Sequence, residues 1–295
     1  MTGIDLHVHS KYSPDGDLTI EELFRLAVHS GVKYISVTDH NSVISINEGI
    51  ALAGKFKLEF IPGVEFNSNL NGRDIHILGY FIDPVNRHLT DLAEDIKFKK
   101  ALQARARIEK LKKLGFNIAY EDAVRCARGD VPNGSIFFDA LIENSDNRKN
   151  SILREYIDGK RSDSPHFNFY RDFFRYGKPA YAPLDNIETR RVIETINESG
   201  GVAVFAHPFD TPDEETMLII GYGIKGIEVY SSYHSMDNVK HFNSIAKKYG
   251  LIPTAGSDFH GSHKPRVTMG IFKRVTGKII RLLYKQAGQR IPINL

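Results

Sequence analysis

Short apolar runs recur along the chain, and helical segments separate them. Residues 34–38, 202–206 and 252–256 have the length and composition of buried strands. A capping box at Thr19 to Glu22 opens the first of the intervening helices. Strand, helix and strand in this order form βαβ units, whose strands run parallel. The sequence therefore predicts an α/β fold built on a parallel sheet.

Residue types that bind metals stand at the carboxyl ends of these predicted strands. The carboxyl ends of parallel strands in a barrel share one rim, so we expect these side chains to meet at one mouth. His76 differs from the others because it lies inside its apolar run. The set comprises His7, His9, Asp39, His40, Glu65, His76, His207, Asp258 and His260.

The two histidines closest to the N-terminus have the spacing of a chelate. Residues i and i+2 of a strand point to the same face, so His7 and His9 can reach one ion. An isolated His-x-His is more often two polar side chains on a solvated strand, but six of the twelve histidines fall at this predicted rim. Five others lie on predicted helices or loops, and we assign them no role: His29, His88, His166, His241 and His263.

The composition limits the kind of metal and the kind of partner. The single cysteine, Cys126, excludes an intramolecular disulfide and a thiolate cluster. Imidazole and carboxylate ligands without sulfur suit Mn²⁺, Fe²⁺ or Zn²⁺. The candidates exceed what one ion can use, so two or three ions are expected, with Glu65 suited to bridge a pair. A net charge of +3 is too small to indicate a nucleic-acid-binding protein by itself.

No apolar run reaches 18 residues, and no signal-like segment precedes His7. We therefore predict a cytoplasmic protein that does not bind a membrane. Nothing in the sequence indicates an obligate protein partner.

The pattern changes beyond Pro84, and from about residue 89 to 177 it is helical without convincing strands. We predict three parts: the first part of a barrel (1–88), a helical insertion domain that selects the substrate (89–177) and the second part of the barrel (178–295). The insertion opens with a long basic helix over 89–114. From Met269 onward the chain has the pattern of a last strand and a basic amphipathic helix.

Five motifs together resemble those of a known family, the PHP (polymerase and histidinol phosphatase) superfamily. They are DLHVHS at 5–10, TDHN at 38–41, Gly63-Val64-Glu65, Ala206-His207-Pro208 and Gly-Ser-Asp-Phe-His at 256–260, in the family's order. The resemblance covers residues 3–82 and about 178–272. The helical block between them, with the residues 177–181 that close it, is similar to the insertion in the branch that contains nucleotide phosphatases and a small 5′-to-3′ exoribonuclease.

The resemblance implies a distorted (β/α)7 barrel that holds three divalent ions, usually manganese, iron or zinc. It assigns His7, His9, Glu65 and Asp258 to the first ion. It assigns Glu65, His76 and His207 to the second, and Asp15, His40 and His260 to the third. Asp15 enters through the resemblance alone, because an aspartate before glycine in a loop is by default a turn residue.

The resemblance also implies the reaction, which is hydrolysis of a small phosphate monoester, nucleotide-like by branch, by a hydroxide that bridges two ions. The ions would neutralise the phosphate oxygens, on which negative charge accumulates. We expect Asp39 to orient a ligand imidazole by accepting a hydrogen bond. His234 is a candidate acid for the leaving group or a substrate contact.

The residues that would bind the substrate phosphate are less well defined. Lys178 is a candidate because it lies where the chain re-enters the barrel, and Arg105 or Arg107 of the basic helix could also reach a phosphate. A run of charges on a helix is more often a solvated face. Residues 130–135 lack the arginine or histidine expected from the related phosphatases. The aromatic residues of 167–174 are expected to form the core of the insertion, or less commonly to stack on a base.

Three other functions remain open. The basic helix would also serve a 5′-to-3′ exoribonuclease acting on short RNA. A cyclic phosphate or a sugar phosphate is a further substrate class. From a different class, the chain could be a non-catalytic metal-binding module, although every expected ligand position is filled.

Overall fold

The structure is a computed structural model that describes residues 3–270, 272, 276–290 and 292. Strands and helices alternate over most of these residues. The strands are β1 (Gly3–Val8), β2 (Val32–Val37), β3 (Glu59–Phe60), β4 (Gly63–Leu70), β5 (Arg73–Tyr80), β6 (Val202–Phe205), β7 (Gly226–Ser231) and β8 (Ile252–Gly256). The α-helices are α1 (Ile20–His29), α2 (Ser45–Phe56), α3 (Arg87–Lys113), α4 (Tyr120–Cys126), α5 (Ile136–Glu143), α6 (Ser151–Ile157), α7 (Pro165–Phe173), α8 (Thr189–Glu198), α9 (Asp213–Gly221), α10 (Met236–Tyr249) and α11 (Thr276–Gln286).

The strands form two sheets, with the orders β1-β2-β3 and β4-β5-β6-β7-β8. The α/β class is confirmed, but the predicted distorted (β/α)7 barrel is not, because the strands form two separate sheets. The expectation that all strands are parallel is wrong for β5, which runs antiparallel to both β4 and β6. The reason is the two-residue turn between β4 and β5, where Asn71 and Gly72 both have positive φ, at 53° and 86°. Asn-Gly with two positive φ angles is a favoured hairpin turn.

The edges of the two sheets meet at the ends that carry the predicted ligands. The backbone N–H of His9 donates to the carbonyl of Phe259 at 2.9 Å, and that of Asp258 donates to the carbonyl of His7 at 2.7 Å. On the other side, a parallel bridge joins His40 to Glu65. Both junctions therefore bring ligand-bearing backbone together.

The space between the strands is filled by large apolar side chains. Ile4, Leu6, Tyr34, Leu78 and Tyr80 are almost fully buried in one cluster. The Tyr80 hydroxyl donates to the carbonyl of Leu6 at 3.1 Å, which satisfies the one polar group of that side chain. The interior is thus packed with side chains, and this packing holds the strand ends in place.

Helix α3 connects two apolar clusters. Its first half packs Leu89, Leu92 and Ile96 against the strands. Its second half contributes Ala104 and Ile108 to a separate cluster formed by the helical block. The predicted boundary between 88 and 89 therefore falls at the start of a helix whose first half packs on the sheet.

The structure agrees with the predicted C-terminal helix, which is α11. The predicted last strand after Met269 falls largely on 271 and 273–275, which lie outside the described residues. Among the helices that the structure describes, none is long and apolar enough to cross a membrane.

Candidate metal centre

The predicted ligands converge on one small volume at the mouth of the strands. The closest group contains His7, His9, Glu65 and Asp258, all of them buried. The Nε2 atoms of His7 and His9 each lie 3.3 Å from Oε2 of Glu65. The same two nitrogens lie 3.3 and 3.2 Å from Oδ1 of Asp258. Four potential donor atoms from three separate strands thus face one point.

Glu65 lies at the centre of the remaining ligands. Its Oε1 lies 2.9 Å from Nδ1 of His76 and 3.2 Å from Nε2 of His207, while its Oε2 lies 2.9 Å from Nδ1 of His40. One carboxylate therefore contacts groups on both sides. This position is the one that a ligand shared by two ions requires.

The third predicted group is arranged around Asp15. One oxygen of its carboxylate lies 3.4 Å from Nε2 of His260, and the other lies 4.0 Å from Nε2 of His40. His9, His40 and His260 also form a cluster that could hold an ion. Asp15, on a loop, therefore reaches the same mouth as the strand-end ligands.

Some buried polar atoms of this donor set make no well-aligned hydrogen bond, although they lie close to one another, and this shows that the set suits cations. Leaving such an atom unsatisfied costs about 1–3 kcal/mol, so a protein retains a group of them only where another partner binds. A set of divalent ions would satisfy all of them at once. Seven of these atoms belong to predicted ligands: His7 Nε2, His9 Nε2, Asp15 Oδ1, His40 Nδ1, Glu65 Oε2, Asp258 Oδ1 and His260 Nε2.

The protonation of the cluster is governed by burial and by charge. Burial raises the pKa of Glu65, but the imidazoles of His7, His76 and His40 outweigh it and bring that pKa well below its usual value. Burial lowers the pKa of His260 well below its usual value, and His9 adds to this effect. Burial lowers the pKa of His7 and His9, but Glu65 and Asp258 outweigh it and raise the pKa of His7 well above its usual value and that of His9 to about 9. A metal ion bound there would displace their protons.

The backbone at the mouth adopts uncommon conformations. His207, with φ 25°, and Asp258, with φ 58°, both have positive φ, which costs energy in residues other than glycine and is concentrated at functional sites. Gly256 is required for packing, because a Cβ there would lie 2.2 Å from Cβ of His7. The local chain is thus shaped to aim these side chains inward.

Glu228 in β7 supports the ligands, and the sequence analysis assigned it no role. Its Oε1 lies 3.2 Å from Nδ1 of His7, and its Oε2 accepts from the backbone N–H of His207 at 2.9 Å. Ser13 acts similarly, because its hydroxyl lies 3.0 Å from Nδ1 of His9. Partners of this kind fix the orientation of a metal-bound imidazole.

Asp39 does not orient an imidazole as expected. Its carboxylate accepts from the backbone N–H and the hydroxyl of Ser10, each at 2.8 Å. The physical reason is that Ser10 is buried, so that its N–H and hydroxyl need an acceptor, which Asp39 provides. Glu228, rather than Asp39, therefore has the predicted contact.

His234 lies away from the cavity at the mouth. Its Nδ1 donates to the carbonyl of Val229 at 2.8 Å, and its ring packs 4.9 Å from that of Phe242. Burial lowers its pKa. The predicted role as an acid has no support from this geometry. Tyr233 does line the cavity, and its hydroxyl donates to Oδ2 of Asp258 at 2.6 Å.

One cavity joins the metal centre to the helical block, and cationic side chains line its far wall. Arg107, one of the two arginines of the basic helix that we named as candidates, lies in this lining. Its Nη2 donates to Asp74 at 2.7 Å. Arg105 is exposed and lies 3.8 Å from the centroid of Tyr120, outside this lining. Sequence analysis missed four other cations of the lining: Lys100, Arg171, Arg175 and Lys264.

Lys178 lines a second cavity next to the first. Arg175 and Asp210 line both cavities, and these two side chains are hydrogen-bonded. Lys178 itself is exposed. The predicted phosphate contact would therefore lie farther from the metal centre than expected.

The helical block also supports the loop that carries Asp15. Nη2 of Arg128 donates to the carbonyls of Lys11, Ser13 and Gly16, at 2.9, 2.5 and 2.8 Å. In the segment that lacks the expected arginine or histidine, the hydroxyl of Ser135 donates to Oδ2 of Asp15 at 3.1 Å. The block thus contacts a predicted ligand as well as the cavity.

The aromatic residues of the block divide between the two expected roles. Phe169, Phe173 and Phe174 are buried in the core of the block. Phe167 lines the cavity and stacks on Tyr233, with ring centroids 5.6 Å apart and planes 11° apart. The position of Phe167 is thus compatible with the less common of the two expected roles, which is stacking on a base.

These features define a class of protein: an α/β enzyme in which a cluster of metal-binding residue types faces a cationic pocket, as anionic esters require. A model of the PHP domain matches residues 5–159. The chain belongs to the PHP family, and the predicted resemblance is confirmed. The predicted class, a metal-dependent phosphoesterase, is confirmed with it.

Curated relatives cover most of the chain. A 5′-3′ exoribonuclease of Haemophilus influenzae is 30% identical over 87% of this chain and 89% of its own length. A 3′,5′-nucleoside bisphosphate phosphatase of Chromobacterium violaceum is 30% identical over 88% of each chain. The structure of a metal-dependent phosphoesterase from Bifidobacterium adolescentis aligns with a TM-score of 0.77 over 97% of this chain and 96% of that chain, at 22% identity. This last similarity shows the fold alone.

Proposed function

We propose that this chain hydrolyses a small phosphate monoester of the nucleotide class. The observation that carries the proposal is the cavity itself. Its lining brings together the predicted metal ligands Asp15, His40 and Asp258 with the cations Lys100 and Arg107 of α3. A phosphate placed between them would meet positive charge on both sides.

The proposed metal centre contains three divalent ions, with Mn²⁺ as the first choice and Fe²⁺ or Zn²⁺ as alternatives. The nine predicted ligands would hold them, with Glu65 shared. When bound, such ions supply an activated water and neutralise the phosphate oxygens. Glu228 holds His7 in place, and Tyr233 with Lys264 holds Oδ2 of Asp258, so that Oδ1 faces the centre.

Substrate recognition is assigned to the far wall of the cavity. Lys100 and Arg107 would bind phosphate oxygens, because both are buried and bring positive charge to the lining. Phe167, Phe209 and Tyr233 would contact a base, because they form a stacked aromatic group beside the metal centre. A phosphorylated nucleoside fits this combination of charge and aromatic surface.

We further propose that the two sheets act as one distorted seven-stranded barrel, with β3 and β4 sharing one position. The junctions between His9 and Phe259 and between His40 and Glu65 support this proposal. The separate apolar cluster of the helical block supports its description as an insertion domain. The cytoplasmic location stays a prediction.

A second candidate is a 5′-to-3′ exoribonuclease that acts on short RNA. The observation that favours it is the second cavity, which continues outward from the first and contains Arg73 and Lys178. These cations could hold the phosphate of a second nucleotide. A cyclic phosphate or a sugar phosphate would not use this outer cavity.

The test is a hydrolysis screen with the purified chain and added Mn²⁺. The substrates are nucleoside monophosphates, 3′,5′-bisphosphates, cyclic nucleotides, sugar phosphates and 5′-phosphorylated short RNAs. We expect release of phosphate from a nucleotide, and loss of this activity when a chelator removes the ions. Nucleotides released from RNA with no activity on free nucleotides would favour the second candidate. No activity on any substrate, with metal bound, would overturn both and favour a non-catalytic module.

A further inference from the structure

A second group of metal-binding residue types lies at the rim of the cavity. Asp139 of α5, His166 of α7 and His263 of the turn after β8 come together there. Nε2 of His166 lies 2.7 Å from one oxygen of Asp139, and Nε2 of His263 lies 3.2 Å from the other. The imidazole rings of the two histidines are 4.9 Å apart. Three segments that are distant in the sequence thus present two imidazoles and one carboxylate to each other.

The side chains of this rim cluster are largely shielded from water. Their exposed fractions are 25% for Asp139, 17% for His166 and 14% for His263. In both histidines one nitrogen faces the carboxylate, while Nδ1 is buried without a hydrogen-bond partner. The nitrogen that would bind an ion in each ring is therefore Nε2, which faces the carboxylate.

We propose that Asp139, His166 and His263 bind a further divalent ion, of the Zn²⁺ class, separate from the main centre. Two imidazoles and one carboxylate are a common zinc-binding set, and they leave a position open for water or another ligand. The ligand atoms lie within 4.8 Å of one another, so small rotations of the side chains suffice to enclose an ion. None of these residues belongs to the predicted main centre.

The charge state of the carboxylate favours this role. Burial raises the pKa of Asp139, but hydrogen bonds from His166 and His263 outweigh it and lower the pKa to about 2. Asp139 is therefore ionised at neutral pH. An ionised carboxylate is the form that binds a divalent ion.

Such an ion would tie the helical block to the metal-bearing end of the fold. Asp139 and His166 belong to helices of the block, whereas His263 follows Asp258 and His260 by a few residues. His263 also lines the cavity. The bound ion would therefore hold the block over the mouth and fix one edge of the substrate cavity.

The test is metal content per chain after reconstitution of metal-free protein with Zn²⁺ and removal of excess ion. We expect Asp139→Asn and His166→Gln each to contain about one ion per chain fewer than the wild type. The matched control is His241→Gln. His241 also pairs with an aspartate, Asp213, at 3.0 Å, but at an exposed site without a third ligand. This variant should keep the wild-type content.

A second measurement separates loss of an ion from loss of the fold. Zn²⁺ should raise the melting temperature of wild type more than that of His166→Gln, with both proteins folded by circular dichroism. If Asp139→Asn does not fold, His166→Gln alone decides the result. Equal metal content in wild type and a folded His166→Gln variant would overturn the proposal. That result would leave the proposed hydrolysis untouched, because the nine predicted ligands of the main centre are unchanged.

Discussion

The two walls of the central cavity are built on opposite principles. The strand-end wall, which includes Asp15, His40 and Asp258, brings imidazoles and carboxylates together. Many of their buried atoms have no hydrogen-bond partner within the described chain. The helical wall, which includes Lys100, Arg107 and Arg175, carries cations. Two of them are already paired: Arg107 with Asp74, and Arg175 with Asp210. The first wall therefore needs ions to be complete, whereas the second offers only part of its charge to a ligand. The difference supports our proposal that the strands carry the chemistry and that the helices choose the substrate.

Removal of a strand-end ligand should have the largest effect. We expect His9→Ala or Asp258→Ala to reduce hydrolysis by more than about 100-fold, because loss of a residue that only orients a ligand already costs about 10- to 100-fold. The fold should remain cooperative in thermal melting followed by circular dichroism. A folded variant that keeps more than a tenth of the activity would refute the ligand assignment.

Glu228→Gln tests whether the strand-end wall depends on residues behind the ligands. The amide keeps the size of the side chain but removes the charge beside His7. We expect metal affinity to fall about 10- to 100-fold, measured by titration of metal-free protein with Mn²⁺. Glu194→Gln serves as control, because the Glu194 side chain is 45% exposed and pairs only with Arg190 of its own helix among the described residues. This variant should bind as wild type does. Unchanged affinity in Glu228→Gln would show that this wall does not need the support.

Lys100→Met tests the helical wall. A hydrogen bond to a charged group contributes about 1.5–3 kcal/mol, so KM should rise about 10- to 100-fold while kcat changes little. Arg105→Ala is the matched control on the same helix, because Arg105 stacks on Tyr120 outside the cavity lining, and its KM should not change. Equal effects of the two substitutions would mean that the helix contributes only general positive charge.

Lys100 also makes the free energy of unfolding of the metal-free protein depend on pH. Burial lowers its pKa from 10.5 to about 8, with a smaller effect from Arg107. Between these two values the unfolded chain binds more protons at Lys100 than the folded chain does. This residue's contribution to the free energy of unfolding therefore rises as the pH increases from about 8 to 10.5. The rise should be absent in Lys100→Met, which denaturant unfolding across this range would show.

The strand-end wall could be predicted because strand periodicity alone determines which residues follow a strand. His7 and His9 come together with Asp258 for this reason, although 249 positions separate His9 from Asp258. Glu228 was missed because it lies inside an apolar strand, where a charged side chain gives no signal of what lies opposite. The hairpin at Asn71-Gly72 had a clear signal in the turn residues, which the emphasis on parallel strands obscured.

The helical wall could not be predicted to the same degree. Lys100, Gln103 and Arg107 share one face of α3 by their spacing, and all three are buried. Their spacing does not show which way that face points, because this depends on how α3 packs across two apolar clusters. A run of lysines and arginines reads as a solvated surface, and for Arg105 that interpretation agrees with its exposure. His166 and His263 were assigned no role because each stands alone in the sequence.

The contact of β1 with the segment after β8 has a consequence for how the protein is made. The backbone of His7 and His9 bonds to Asp258 and Phe259, so β1 cannot complete its pairing until the segment after β8 has been synthesised. Contacts between such distant residues form late, since closing a long loop costs entropy before the contact offsets it. We expect the ribosome-bound chain to hold the N-terminal histidines exposed until residue 260 emerges. The capacity to hold ions would then appear only after Asp258 and His260 have been synthesised.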